Sequence, residues 1–268
     1  MFKELIPQVI TIAERAGSAI MEIYQLNDVD VTHKSDQSPL TLADSTASKI
    51  IEDGLQKITP DWPIISEESS IFGYQERKEW NCFWLVDPLD GTKEFIHKNG
   101  EFTVNIALIK NGQPVLGVVL APAIDQCYFA SKGQGAFLKN QRKTKQIQSK
   151  NVLSEPATIA VSRSHIDKNT KKLIERIKNP EIIYMGSSLK VCLVAEGRID
   201  CYPRLGPTME WDTAAAHCII NEAGGQIVDK NGDELRYNKA HLENPYFIST
   251  NNYQRAYWLE LCKVELSC

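Results

Sequence analysis

Near the start of the chain the apolar residues recur at helical spacing. Leu5, Ile6, Val9, Ile10, Ile12, Ala13, Ala16 and Ile20 share one face, which predicts an amphipathic helix docked on a core. Glu4, Glu14 and Arg15 interrupt the apolar content, so the segment reads as neither a signal peptide nor a membrane span. Val29 to Lys34 predicts a short strand running into the polar loop Ser35-Asp36-Gln37-Ser38-Pro39. Thr41 suits an N-cap for a helix through about Lys57, with Asp44 in its first turns. Pro63-Ile64-Ile65 reads as a strand that delivers Glu67 and Glu68 at its end, and Phe83 to Val86 as a strand buried on both faces. The clearest β signal is Phe102 to Lys110 and Val115 to Ala121 flanking Asn111-Gly112, a hairpin turn pair. Cys127 to Ala130 and the turn Gly133-Gln134-Gly135 extend this antiparallel sheet.

Residues 139–156 are rich in Lys, Gln and Asn, end at Pro156, and mark a boundary between residues 1–150 and 151–268. Beyond it the pattern alternates. Strands are expected at Thr158–Ser162, Ile182–Met185, Ile199–Tyr202 and Gln226–Val228. Helices are expected at Lys168–Lys178, Ser187–Glu196 (stopped by Gly197), Trp211–Glu222 (stopped by Gly224-Gly225) and near 252–262. The expected fold is an α+β first half packed on an α/β second half.

Composition narrows the function classes. The net charge of −4 argues against a nucleic-acid coat, which needs a basic surface. The seven cysteines are odd in number, scattered and free of any Cys-x-x-Cys pair. They read as small buried hydrophobes in a reducing cytoplasm, with no disulfide frame or zinc site.

The candidate chemistry lies at Trp84-Leu85-Val86-Asp87-Pro88-Leu89-Asp90-Gly91-Thr92. A buried strand ends there in two carboxylates held apart by Pro-Leu. Pro88 stiffens the turn and forces Asp87 into an extended conformation, while Gly91 permits close approach to the backbone. Carboxylate and carbonyl oxygens clustered in this way suit hard cations such as Mg²⁺, and two such ions side by side serve phosphoryl transfer. A structural alternative is a loop whose Asp90 caps a helix. Aspartyl-phosphate phosphatases of the haloacid dehalogenase type use Asp-x-Asp-Gly-Thr, but here Pro88 occupies the position of their nucleophile and cannot attack phosphorus. A further acidic element, Glu210-Trp211-Asp212-Thr213, opens a small-residue helix, where Asp212 could equally be a cap. Lys190 and Arg204, read alone, are solvated surface charges, and Met185 and Cys192 are core packing.

Ser66-Glu67-Glu68, Asp87-Pro88-Leu89-Asp90-Gly91-Thr92, Trp211-Asp212 and Glu222-Ala223-Gly224-Gly225 together resemble the lithium-sensitive inositol monophosphatase superfamily, in order and over nearly the whole chain. Lys34 to Asp44, Lys93-Glu94-Phe95-Ile96, Gly186-Ser187-Ser188-Leu189-Lys190 and Tyr202 to Thr208 resemble most its branch of CysQ-type 3′(2′),5′-bisphosphate nucleotidases. The resemblance implies a five-layered α-β-α-β-α sandwich and removal of the 3′-phosphate of 3′-phosphoadenosine 5′-phosphate, with Mg²⁺ dependence and Li⁺ inhibition. It implies one metal on Glu67, Asp87 and the Leu89 carbonyl and another on Asp87, Asp90 and Asp212, with a third, weaker ion at Glu67. Thr92, polarised by Asp44, would orient the attacking water. The Gly91 and Thr92 amides would hold the scissile phosphate, and Ser164, His165, Ser187, Lys190 and Arg204 would contact the nucleotide. The expected partner is a small bisphosphorylated nucleotide, without nucleic acid or a stable protein partner. The expected location is the cytoplasm, and the resemblance also allows loose attachment to the inner face of a membrane. Inositol monophosphate or fructose 1,6-bisphosphate as substrate, or a catalytically silent metal- or nucleotide-binding module, are the alternatives.

Overall fold

The computed structural model describes residues 2–26, 39–69, 72–141, 143–164 and 166–262. The strand expected over 29–34, the loop leading from it to position 38, and His165 lie outside the described residues. The chain begins with helix α1 (Ile6–Tyr24) and helix α2 (Pro39–Ile58). Helix α2 starts two residues before the expected cap at Thr41, because proline is tolerated in a first helical turn.

Strands β1 (Ile64–Ser66) and β2 (Cys82–Asp90) run parallel, with the one-turn helix α3 (Tyr74–Arg77) between them. Helix α4 (Thr92–Ile96) follows. Then come β3 (Thr103–Lys110), β4 (Gln113–Ala121), β5 (Gln126–Ser131), β6 (Ala136–Lys139) and β7 (Thr144–Ile147), all antiparallel. The seven strands lie in sequence order in one sheet. The hairpin residues Asn111 and Gly112 both have positive φ, 52° and 72°, as a type I′ turn requires.

The second half contributes β8 (Thr158–Ser162), α5 (Lys168–Glu175), β9 (Glu181–Met185), α6 (Leu189–Ala195), β10 (Cys201–Arg204), α7 (Glu210–Glu222), β11 (Gly225–Asp229), β12 (Phe247–Asn251) and α8 (Arg255–Cys262). Its sheet has the order β11-β12-β10-β8-β9. Helix α6 starts later than expected because Ser187 has φ 48°, outside the right-handed helical region. Strand β7 occupies part of the polar stretch 139–156. Three of its four residues are exposed at a sheet edge, so no alternation marked it. Strand β12 follows the turn pair Asn244-Pro245, but its polar residues Ser249, Thr250 and Asn251 hide it in the sequence.

Three buried clusters define five layers. Val9, Ile12, Ala16 and Ile20 of α1 and Ala43, Ala47, Ile51 and Leu55 of α2 pack on Trp84, Val86, Val104, Ile106 and Leu108. The opposite face of that sheet, Phe83, Leu85, Ala107 and Ile109, packs on α6 and α7. The far face of the second sheet, Ile159, Val161, Cys201 and Ile248, is covered by Leu173 of α5 and Trp258 of α8. The architecture is therefore the α-β-α-β-α sandwich. Helix α7 is buried on nearly every side, as expected of a helix between two sheets. Its Ala214-Ala215-Ala216 stripe lets it approach β4 at Gly117, where a Cβ would lie 2.2 Å from the Ala215 carbonyl oxygen.

His217, fully buried in α7, meets the Tyr237 hydroxyl through Nδ1 at 2.8 Å, while Nε2 has no partner among the described residues. Burial lowers its pKa to about 3. The unfolded chain therefore binds one more proton than the native state between about pH 6.5 and 3, so stability is full above the unfolded value and falls as the pH drops. Chemical denaturation is expected to show a loss of about 2 kcal/mol from this residue by pH 5. In His217→Gln that acid-side slope is expected to shrink by about one proton. An unchanged slope would assign the acid sensitivity to other groups.

Candidate active site

Two strand ends and one helix start converge on a single point. Strand β1 ends at Ser66, opposite Val86 of β2, and the Glu67 amide donates to the Val86 carbonyl at 3.2 Å. Glu67 thus leaves the sheet beside Asp87. Between Asp87 and Asp90 the pairing of β2 with β3 shifts register, so the Pro88-Leu89 insertion bends the strand end. Gly91, at φ 98°, then turns the chain into α4, and a side chain there would press on the backbone of Glu101 and Phe102. From the second half, α7 presents Asp212 in its first turn, and Asp212 Oδ2 accepts the Met209 amide at 2.8 Å. The positive end of the α7 dipole faces these carboxylates.

Carboxylate oxygens of Glu67, Asp87 and Asp212 lie within 4.8 Å of one another. Asp87 is 1 % exposed, and one of its oxygens accepts the Leu89 amide at 3.1 Å. Burial, then Asp90, Asp212, Glu67 and Asp44, push its carboxyl well above the usual range. Asp212 is pushed up to about 8 by burial and Asp90. Glu67 is raised by burial, Asp90 and Glu68, against a hydrogen bond from Trp211. Asp44 is pushed up to about 7 by burial, then Glu68 and Glu67. Like charges crowded this way cannot all ionise without a counter-charge. The donors are hard oxygens close enough to share one ion, so the set fits a hard divalent cation.

Asp90 lies beside this triple and is held differently. Its Oδ2 accepts the Ser188 amide at 2.7 Å and the Asn105 side-chain amide at 3.4 Å. Burial raises its pKa, and Lys190, Ser188 and Asn105 oppose that rise. Ser188 Oγ in turn bonds Asn105 Oδ1 at 2.8 Å and Thr103 Oγ1 at 2.9 Å. Asn105, Thr103 and Ser188 were missed in the sequence. A period-two polar pair inside the apolar strand β3 was the available signal.

Asp90, Gly91, Thr92, Ser164, Ser187, Lys190, Arg204 and Asp212 line one cavity of about 220 Å³. Glu94, Tyr202, Thr208 and Phe247 also line it and were not assigned from sequence. Lys190 is not a surface charge: it is 5 % exposed. Its ammonium donates to the Ser187 carbonyl at 2.5 Å and the Met185 carbonyl at 3.3 Å, and lies 5.2 Å from the Tyr202 ring centre. Burial lowers its pKa to about 8, with Asp90 opposing the shift. Arg204 Nη2 donates to the Pro207 carbonyl, while Arg204 Nε and Ser187 Oγ are buried without partners among the described residues. Leu89 is buried. Thr92 and Glu67 are exposed, and Asp44 is half-buried. Met185 and Cys192 pack in or against the central core, as expected.

Over residues 2–259 the chain matches the inositol monophosphatase family. It is 46% identical over 245 residues to the 3′(2′),5′-bisphosphate nucleotidase CysQ of Escherichia coli K12, covering 91% of this chain and 98% of that protein. With the protein of the same name from Buchnera aphidicola it shares 43% over 261 residues, 96% of this chain and 95% of the relative. The crystal structure of CysQ from Bacteroides thetaiotaomicron superposes with a TM-score of 0.85 at 40% identity, covering 94% of this chain and 98% of that one. An inositol monophosphatase from Thermotoga maritima superposes with a TM-score of 0.78 at 26% identity, over 100% of this chain and 99% of that one. A carboxylate triple built from β1, β2 and α7, on a sandwich shared with these proteins end to end, places this chain in the inositol monophosphatase family.

Proposed function

We propose that this chain is a Mg²⁺-dependent 3′(2′),5′-bisphosphate nucleotidase that hydrolyses the 3′-phosphate of 3′-phosphoadenosine 5′-phosphate to AMP and phosphate. The observation that carries the reading is one cavity in which Asp90 and Asp212 adjoin buried Lys190 and half-buried Arg204 and Ser187. Relatives at 43–46% identity that bear this activity in their names support it. In this reading residues 1–150 carry Glu67, Asp87, the Leu89 carbonyl and Asp90, while 151–268 supply Asp212 and the nucleotide contacts. Two Mg²⁺ ions, with a third at Glu67, would supply an acidified water and neutralise phosphate charge. Asp44 orients the Thr92 hydroxyl, which directs the attacking oxygen. The Gly91 and Thr92 amides hold the scissile phosphate. Ser187, Lys190 and Arg204 hold the rest of the nucleotide, with Ser164 and His165 beside them. Neither Asp87 nor Asp90 is free to attack phosphorus, so no covalent intermediate forms.

The substrate is a free small molecule in the cytoplasm, neither a nucleic acid nor part of a stable protein complex. No helix among the described residues is long and apolar enough to cross a membrane. The purified protein, offered 3′-phosphoadenosine 5′-phosphate, inositol monophosphate and fructose 1,6-bisphosphate with Mg²⁺, is expected to prefer the first by kcat/KM. Hydrolysis is expected to fall at roughly millimolar Li⁺ and to ignore the same concentration of Na⁺, whereas ionic screening would make the two salts act alike. Preference for inositol monophosphate, or no phosphate release from any of the three, would overturn the reading.

A further inference from the structure

The turn Gly186-Ser187-Ser188 is strained, and it is gripped from two sides. Ser187 has φ 48°, a conformation that a non-glycine residue adopts only when its surroundings impose it. On one side Ser188 is tied through its amide to Asp90 and through its hydroxyl to Asn105 and Thr103. On the other side stands Glu101, in the connection between α4 and β3. Its Oε2 accepts the Gly186 amide at 2.8 Å. The same carboxylate takes Arg163 in a two-point grip, Nε at 2.7 Å and Nη2 at 2.6 Å, and Nη2 also donates to the Tyr184 carbonyl at 2.8 Å. Gly186 has no room for a side chain: a Cβ would lie 2.5 Å from Glu94 Cγ and 2.6 Å from the Glu101 carbonyl oxygen.

We propose that Glu101 is a positioning residue that sets the Gly186–Ser188 turn, clamping the end of β9 to the start of β3 through the Gly186 amide and Arg163. Glu101 is not part of the carboxylate triple and does not itself line the cavity; only its backbone carbonyl lies behind the wall residue Gly91. It acts through the turn, which hands one amide to Asp90 and one carbonyl, that of Ser187, to the Lys190 ammonium. Arg163 is 43% exposed and its ion pair is solvent-screened, so the charge contributes little by itself. The hydrogen bond to the Gly186 amide is the part that positions, and the planar two-point grip fixes the direction of the carboxylate for it. The functional consequence rests on the reading that this turn holds the part of the nucleotide that does not react.

The test uses the full chain in three variants: Glu101→Ala, Glu101→Gln and Gly186→Ala. In Glu101→Ala, amide exchange at Gly186 and Ser188 is expected to accelerate about tenfold or more, while β3 and β4 keep their protection. KM for 3′-phosphoadenosine 5′-phosphate is expected to rise about tenfold with kcat within about threefold. Glu101→Gln keeps an acceptor for the Gly186 amide and is expected to recover most of both effects. Gly186→Ala, which displaces the turn sterically, is expected to reproduce the KM change. Unchanged exchange at Gly186 and Ser188, an even loss of protection across the first sheet, or no recovery in Glu101→Gln would each overturn the proposal. A wild-type protein that does not hydrolyse the nucleotide would refute the substrate reading instead, and the exchange comparison would still decide the role of Glu101.

Discussion

Replacing Asp87 with asparagine is expected to abolish phosphate release and, at the same time, to stabilise the protein in the absence of divalent ions. Both effects have one cause. Asp87 is 1 % exposed and stands among Asp90, Asp212, Glu67 and Asp44, so its charge is tolerable only beside cations. Its carboxyl is raised in the folded state. The stability it costs is therefore fully present only above the raised folded-state pKa, shrinks as the pH falls from there, and vanishes below the unfolded carboxylate pKa near 4. Asparagine keeps the shape, and its oxygen can still accept the Leu89 amide, but it removes the charge. The metal-free variant should gain about 1–3 kcal/mol over wild type near neutral pH, and the gain should fade toward pH 4. The same loss of charge weakens the site that the metals need. Phosphate release should fall by about a thousandfold or more, some 4 kcal/mol of transition-state stabilisation. Thermal melts with and without Mg²⁺ check the other half, since a ligand bound only by the native state raises its melting point. Wild type should gain from Mg²⁺ and Asp87→Asn should gain little. Activity within tenfold of wild type, or an equal Mg²⁺ response, would remove Asp87 from the metal site. Glu68→Gln should lose far less activity, because the Glu68 side chain is exposed and lies outside the triple.

The parts of the site written in short contiguous motifs were legible. The apolar run Phe83 to Val86 is continuous because β2 is buried on both faces, with Phe83 and Leu85 toward α7 and Trp84 and Val86 toward α2. Its abrupt end in Asp87-Pro88-Leu89-Asp90 therefore marked a strand terminus carrying carboxylates, and the register shift found there is the insertion those letters imply. Asp212 was legible as the start of a helix, but its approach to Asp87 depends on the small residues of α7 meeting Gly117 across the sheet. No local pattern states such a contact. The hydrogen bonds that hold Asp90 were hidden for the same reason. They join Ser188 to Asp90, Asn105 and Thr103 across 83 to 98 residues of chain, and each of these side chains alone reads as an ordinary polar position. Strands β7 and β12 escaped for the opposite reason. One is an exposed edge without alternation, and the other is buried throughout although three of its five residues, Ser249, Thr250 and Asn251, are polar and read as loop.

Lys190 is where the burial found in the fold alters the expected experiment most. Its pattern was that of a surface charge, yet its ammonium is sealed in the cavity wall on the carbonyls of Met185 and Ser187 and above the ring of Tyr202. Lys190→Ala would delete a contact to substrate and also leave a hole beside Tyr202, mixing binding with packing. Lys190→Met removes the charge and keeps most of the volume, so it isolates the electrostatic contribution. Removing a charged contact to a phosphate that does not react subtracts binding equally from ground and transition states. KM for 3′-phosphoadenosine 5′-phosphate should then rise with little change in kcat. A charge-assisted hydrogen bond contributes about 1.5–3 kcal/mol, which corresponds to a rise of roughly ten- to a hundredfold. Adenosine 3′-monophosphate, which lacks the second phosphate, should respond much less, because the lost charge has nothing to hold in it. Equal damage to both substrates, or a fall in kcat alone, would mean that Lys190 serves the Asp90 carboxylate or the 185–188 backbone. Selectivity for the bisphosphate would then have to come from Arg204, whose buried Nε has no partner among the described residues.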